Sequence, residues 1–260
     1  MVNENEINSL LKKFEDISEN SPLMSSYDKE YIKELLDSCS QNEKIANYCY
    51  DNRLWSSAIY NLCLALEKLY KAIAIFLNFN TKDELKNKVG HDALKSLING
   101  LRKLKLQFLN DRAGSELIKL IDQEINNLTK GIDNKKAYLK LSYDEIKHII
   151  DSVDERIAKN ERYLENFSEI IKKSANNNPK LAEAYLKFEL STLKLTHLVA
   201  ITSAHYFSAN YPDDPDIAYK DYNESLGIVK FFKEAMNILR ESKKSLEELM
   251  ETYETAFLPE

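Results

Sequence analysis

Five glycines and five prolines are all that 260 residues contain. So few turn-formers exclude a β-sandwich or barrel, which reverses direction often, and a parallel α/β fold with its glycine-rich loops. The three cysteines, Cys39, Cys49 and Cys63, are odd in number and form no C-x-x-C. Neither a disulfide framework nor a zinc site is indicated, and free thiols buried in helices are expected. A membrane-spanning run is also missing. The most apolar stretch, residues 58–66, meets Glu67, Lys68 and Lys71 well short of the roughly 20 residues a span needs. Excess positive charge is lacking, since 36 Lys and Arg stand against 42 Asp and Glu, a net charge of −6. The whole molecule is therefore no electrostatic trap for nucleic acid, although a local basic patch can be. The first residues, MVNENEINSLLKKFED, carry no apolar signal region. A cytoplasmic location follows as an expectation. No glycine-rich phosphate loop, serine nucleophile elbow or Cys–His signature occurs, so no cofactor is expected.

What is present is helical periodicity. Trp55 to Phe79 is the longest apolar stretch, and on a helix its polar residues gather on one side. Ser56, Ser57, Asn61, Glu67, Lys68, Lys71 and Asn78 fall in a sector of about 140°. Such a helix suits the centre of a bundle, with Leu62 and Leu69 inward and Glu67 and Lys71 paired on its polar face. Before it, residues 5–19 make a short amphipathic helix, and a second helix runs over about 28–50. A tight turn at Asp51-Asn52-Arg53 makes the two long helices antiparallel. After it, Thr81 and Glu84 form a capping box, with Gly90 as the helix end. Helices are expected over 91–108 and 114–130, then a Lys-rich connection over 131–141. Ser142 and Glu145 form a second capping box for a long, highly charged helix over 143–175. Its thin apolar stripe suits a protruding helical hairpin or an interface better than a core. Asn178-Pro179 starts a helix to about 209. Asp214-Pro215 starts a last helix over 216–257, with Gly227 marking a bend.

Few residues offer chemistry. His91 follows Gly90 at a helix start, where free N–H groups favour an anion, with a surface or capping role as the alternative. Lys82, Lys86, Lys88, Lys95, Arg102, Lys103 and Lys105 face only three acids in the same stretch, which makes it the candidate polyanion surface. A merely solvated face is the alternative. His197 and His205 stand eight apart on an apolar helix, and are read either as pocket-lining or as core histidines. Glu145-x-x-His148 is half of a di-iron bundle motif without its second half, so no metal site is expected.

Together these pieces resemble the HEPN family of nucleotide-binding helical bundles. The resemblance rests on Ala58, Ala65, Glu67, Lys68, Lys71 and Ala72 in an A-x-x-x-x-x-x-A-x-E-K-x-x-K-A arrangement, on His91-Asp92-Ala93-Leu94, and on Asn210-Tyr211-Pro212-Asp213 before the final helix. It implies an antiparallel all-α bundle over residues 27–108 and 190–258. An inserted helical hairpin at 109–189 and an N-terminal helix and linker at 1–26 complete the expected organisation. It also implies nucleotide or RNA contacts, a homodimer, and a nucleotidyltransferase-like or defence-system protein partner. Ribonucleases of the family carry Arg, four to six residues, then His, and no arginine here precedes a histidine at that spacing. Asn210 also stands where the Tyr-Pro loop usually has arginine. The expectation is a binding or assembly module without nuclease activity. A divergent ribonuclease of a defence or toxin–antitoxin system, using His91 or His205, and a purely structural scaffold are the alternatives.

Overall fold

A computed structural model describes residues 28–77, 79–89, 135–159, 178–210, 217 and 219–257, together with residues 98, 102, 122, 125, 126 and 129. Among the described residues there are eight α-helices and no strand, so the chain is all-α. The helices are α1 (Lys29–Asp51), α2 (Trp55–Phe76), α3 (Lys82–Glu84), α4 (Lys135–Leu139), α5 (Tyr143–Lys159), α6 (Pro179–Ser208), α7 (Gly227–Lys230) and α8 (Phe232–Phe257). A wider π-helical turn, Leu85–Val89, extends α3.

Local chemistry sets the ends. The Asp28 side chain accepts from the Tyr31 N–H and opens α1. The helix closes in a Schellman arrangement: the Leu54 N–H reaches the Cys49 carbonyl at 2.8 Å and the Arg53 N–H the Tyr50 carbonyl at 3.0 Å. Arg53 supplies the left-handed residue at φ 58°, where glycine is usual. Both capping boxes form: Thr81 with Glu84, and Ser142 with Glu145.

Four long helices close into an antiparallel ring. From α2 to α6, Ser56 Oγ donates to the Ala209 carbonyl, Cys63 Sγ to the Thr202 carbonyl at 3.2 Å, and Tyr70 Oη meets Thr196 Oγ1 at 3.2 Å. Ser56, Cys63 and Tyr70 recur every seven residues, the repeat of helices that stay side by side with slight supercoiling. The α6–α8 seam runs through Lys187–Glu248 and Ser191–Ser245. The ring closes between α8 and α1 through Lys29–Glu254, Glu43–Arg240 and the stacked rings of Tyr50 and Phe232. Inside lie Ile32, Leu62, Leu66, Leu69, Leu195, Leu198, Phe232 and Leu246, each at most 1% exposed. Ala58, Ala65 and Ala72, again seven apart, are fully buried and let neighbours approach α2 closely.

The structure corrects four expectations. α6 runs unbroken from Pro179, so a boundary at 189/190 would cut a bundle helix. Leu181, Ala184 and Phe188 are buried, and the Phe76 and Phe188 rings meet at 6.1 Å. The final helical region begins at Gly227 rather than residue 216, and a turn at Phe231 divides it into α7 and α8. The stripe of α5 belongs to the core after all: Ile146 and Ile150 are part of it, and Val153 is buried as well. Lastly, Glu67 and Lys71 are core residues, only 3% and 7% exposed. The N-terminal helix over 5–19 lies outside the described residues, as do most of the helices expected over 91–108 and 114–130. Of the latter, Ile98 is buried, and Ile125 packs half-buried against the core.

Candidate functional site

Three polar residues of α2, Ser56, Glu67 and Lys71, are buried in the bundle. Lys71 Nζ donates to Glu67 Oε1 at 2.6 Å, with Lys68 Nζ 3.6 Å from the same oxygen. The i, i+4 spacing lets the lysine fold back along the helix onto the carboxylate. Burial makes the pair costly to break, because either charge left alone would lack solvation. One turn and two turns towards the N-terminus stand Cys63 and Tyr60. Burial pushes the Cys63 thiol well above its ordinary range. The Tyr60 and Tyr206 rings lie 5.5 Å apart, and burial, then Tyr60 and the Glu67 charge, hold the Tyr206 phenol protonated. Cys39 on α1 is likewise pushed up, to about 12, by burial. These thiols are poor nucleophiles at neutral pH, since the thiolate is the reactive form.

His205 is 1% exposed on the last turn of α6. Its Nδ1 lies 3.0 Å from Tyr222 Oη, and among the described residues Nε2 makes no hydrogen bond of normal geometry. Burial holds the imidazole down to about 4, with the Tyr138 backbone acting less strongly in the other direction. The ring is therefore neutral at pH 7 and ties α6 to the loop before α7. A phosphodiester in solution cannot touch it while the fold is closed. Nothing in the sequence marks Tyr222 as its partner.

The candidate basic patch is only partly described. Lys82 is engaged, with Nζ 3.2 Å from Asp28 and 4.4 Å from the centre of the Tyr31 ring. This ties α3 to the first turn of α1. Lys86 and Arg102 are exposed. Lys95, Lys103, Lys105 and His91 lie outside the described residues, as does the side chain of Lys88. His148 is exposed on α5, while Glu145 is spent on the Ser142 cap. Among the described residues no cluster of His, Cys, Asp or Glu could hold a metal ion. No described helix is long and apolar enough to cross a membrane.

An open cleft of about 190 Å³ separates α5 from α6 and α8. Ile150, Phe231 and Ile238 line its floor, with Lys147, Asp151, Lys194, Glu234 and Glu241 around it. Two cations against three carboxylates do not make a phosphate site. Compared with protein-family models, curated proteins and solved structures, the chain matches none of them.

Proposed function

We propose that this chain is a HEPN-like helical binding and assembly module that contacts RNA or nucleotide without cleaving it. The observation that carries the reading is the sealing of His205. The one histidine in the described core that could serve a divergent nuclease is buried, neutral and bonded to Tyr222. The missing Arg-x4–6-His spacing supports the same conclusion from the sequence. The all-α architecture supports the helical-module part of this reading. In this reading RNA contacts fall to the Lys82–Lys105 stretch, with Lys86 and Arg102 open to solvent, while Lys82 serves the fold. A homodimer and a nucleotidyltransferase-like partner belong to the same proposal.

The test is an electrophoretic shift of single-stranded and structured RNA at two salt concentrations. Affinity that falls steeply with salt, and is lost in the Lys86→Glu, Lys88→Glu, Lys103→Glu triple variant at unchanged helical content, supports the reading. Salt-insensitive binding rejects it. RNA shortening that disappears on His91→Ala would replace it with the ribonuclease alternative.

A further inference from the structure

Besides packing on α6, α5 meets α7 in one unusually close contact. A Cβ placed on Gly227 would overlap the Leu141 carbonyl oxygen, and would come within 2.7 Å of the Ser142 carbonyl carbon and 2.9 Å of the Tyr143 nitrogen. The capped first turn of α5 thus sits directly on the backbone of α7. Main chain meets main chain here, and no side-chain rotation could make room for a methyl group. Two contacts reinforce the seat: Tyr143 Oη donates to Glu234 at 2.9 Å, and its ring lies 6.0 Å from that of Phe231. Further along α5 the contact with α8 opens into the cleft bordered by Lys147, Ile150 and Asp151 on one side and Asn237, Ile238 and Glu241 on the other. The hold of α5 on the α7–α8 side is therefore concentrated in its first turn. The ring of α1, α2, α6 and α8, meanwhile, is closed by seams to which α5 contributes nothing.

We propose that the seat of Leu141–Tyr143 on Gly227 is a joint that holds α5 closed on the bundle, and that α5 releases from α7–α8 as a unit when the joint is disturbed, leaving the four-helix ring intact. Release would widen the cleft into an apolar face of Ile150, Phe231 and Ile238. Burial of Ile146, Ile150 and Val153 keeps the closed position dominant. Gly227 is the natural point of control, because any larger residue there displaces the whole turn.

Hydrogen exchange followed by mass spectrometry on the full chain tests this, comparing the unmodified protein with Gly227→Ala and Tyr143→Phe. Gly227→Ala should accelerate exchange over 141–153 by about tenfold or more, with α2 unchanged, because a local opening raises exchange only in the element that opens. Tyr143→Phe should produce a smaller acceleration in the same segment. Equal acceleration of α2 would overturn the proposal, since α5 would then be part of one cooperative core. Unchanged exchange over 141–153 in Gly227→Ala would overturn it as well. If that variant does not fold, Tyr143→Phe decides alone: acceleration spreading into 55–76, or none at all, overturns it.

Discussion

Tyr50 of α1 stacks flat on Phe232 of α8, with ring centres 4.2 Å apart and planes inclined by 8°. At the opposite end of the same two helices, Lys29 reaches Glu254 at 2.7 Å. The first and last described long helices are thus held in register along their length. This seam converts three consecutive packings into a closed ring around the core to which α2 contributes Leu62, Leu66 and Leu69.

The core of that ring should be sensitive to truncation. Leu62 and Leu69 are both fully buried on α2. Replacing either by alanine should cost about 2–5 kcal/mol, the loss of transfer energy plus the cavity left behind. Urea denaturation should show a lower midpoint with an unchanged slope. A loss below about 1 kcal/mol would contradict their placement.

Glu67 and Lys71 should behave as a pair. Glu67→Ala strands a buried ammonium group and should cost about 3–5 kcal/mol. Glu67→Leu with Lys71→Met removes both charges and should recover most of that loss, because an apolar pair needs no solvation. A double-mutant cycle measured by chemical denaturation separates the two effects. Additive costs would show that the charges do not depend on each other.

Stability should fall in acid because of His205. Its folded value near 4 lies below the ordinary histidine value of 6.5, so the unfolded chain takes up the proton first. The neutral ring costs nothing above about pH 6.5, stability declines as pH falls from there towards 4, and the loss levels off below. The full loss is on the order of 3 kcal/mol. His205→Gln should flatten this limb of the stability–pH curve. An unchanged limb would place its origin elsewhere.

Arg53 should be improvable. It holds a left-handed conformation that costs a side-chain-bearing residue about 1–2 kcal/mol. Arg53→Gly relieves this strain but adds freedom to the unfolded chain, so a net gain of about 0.5–1 kcal/mol is expected. A melting temperature that drops instead would mean that the arginine side chain supports the turn.

Much of the fold was readable from the sequence because its signals are local. Asp51-Asn52-Arg53 closes α1, the two capping boxes open α3 and α5, and Asn178-Pro179 opens α6. Each signal involves groups within a few residues of one another, whose bonding follows from backbone geometry. The scarcity of glycine and proline and the period of Trp55–Phe76 determined an all-helical chain around α2 in the same way.

The candidate site was less legible, because periodicity reports which residues share a face and not what stands against it. Glu67 and Lys71 gather on the polar side of α2, yet the pair is buried while Lys68 on the same side stays partly open. The stripe of α5 is thin for a core, yet Ile146 and Ile150 join the core, and among the described helices α6 and α7 stand beside them. His205 gave no sign of Tyr222, and Gly227 none of the Leu141–Tyr143 backbone, since both relationships join segments that only packing brings together. The sequence by itself determined the helices, their ends and their apolar faces, through bonds made within a turn or two. Tertiary structure alone decided which polar groups lost their water and which backbones touch, because desolvation and close approach depend on neighbours distant in the chain.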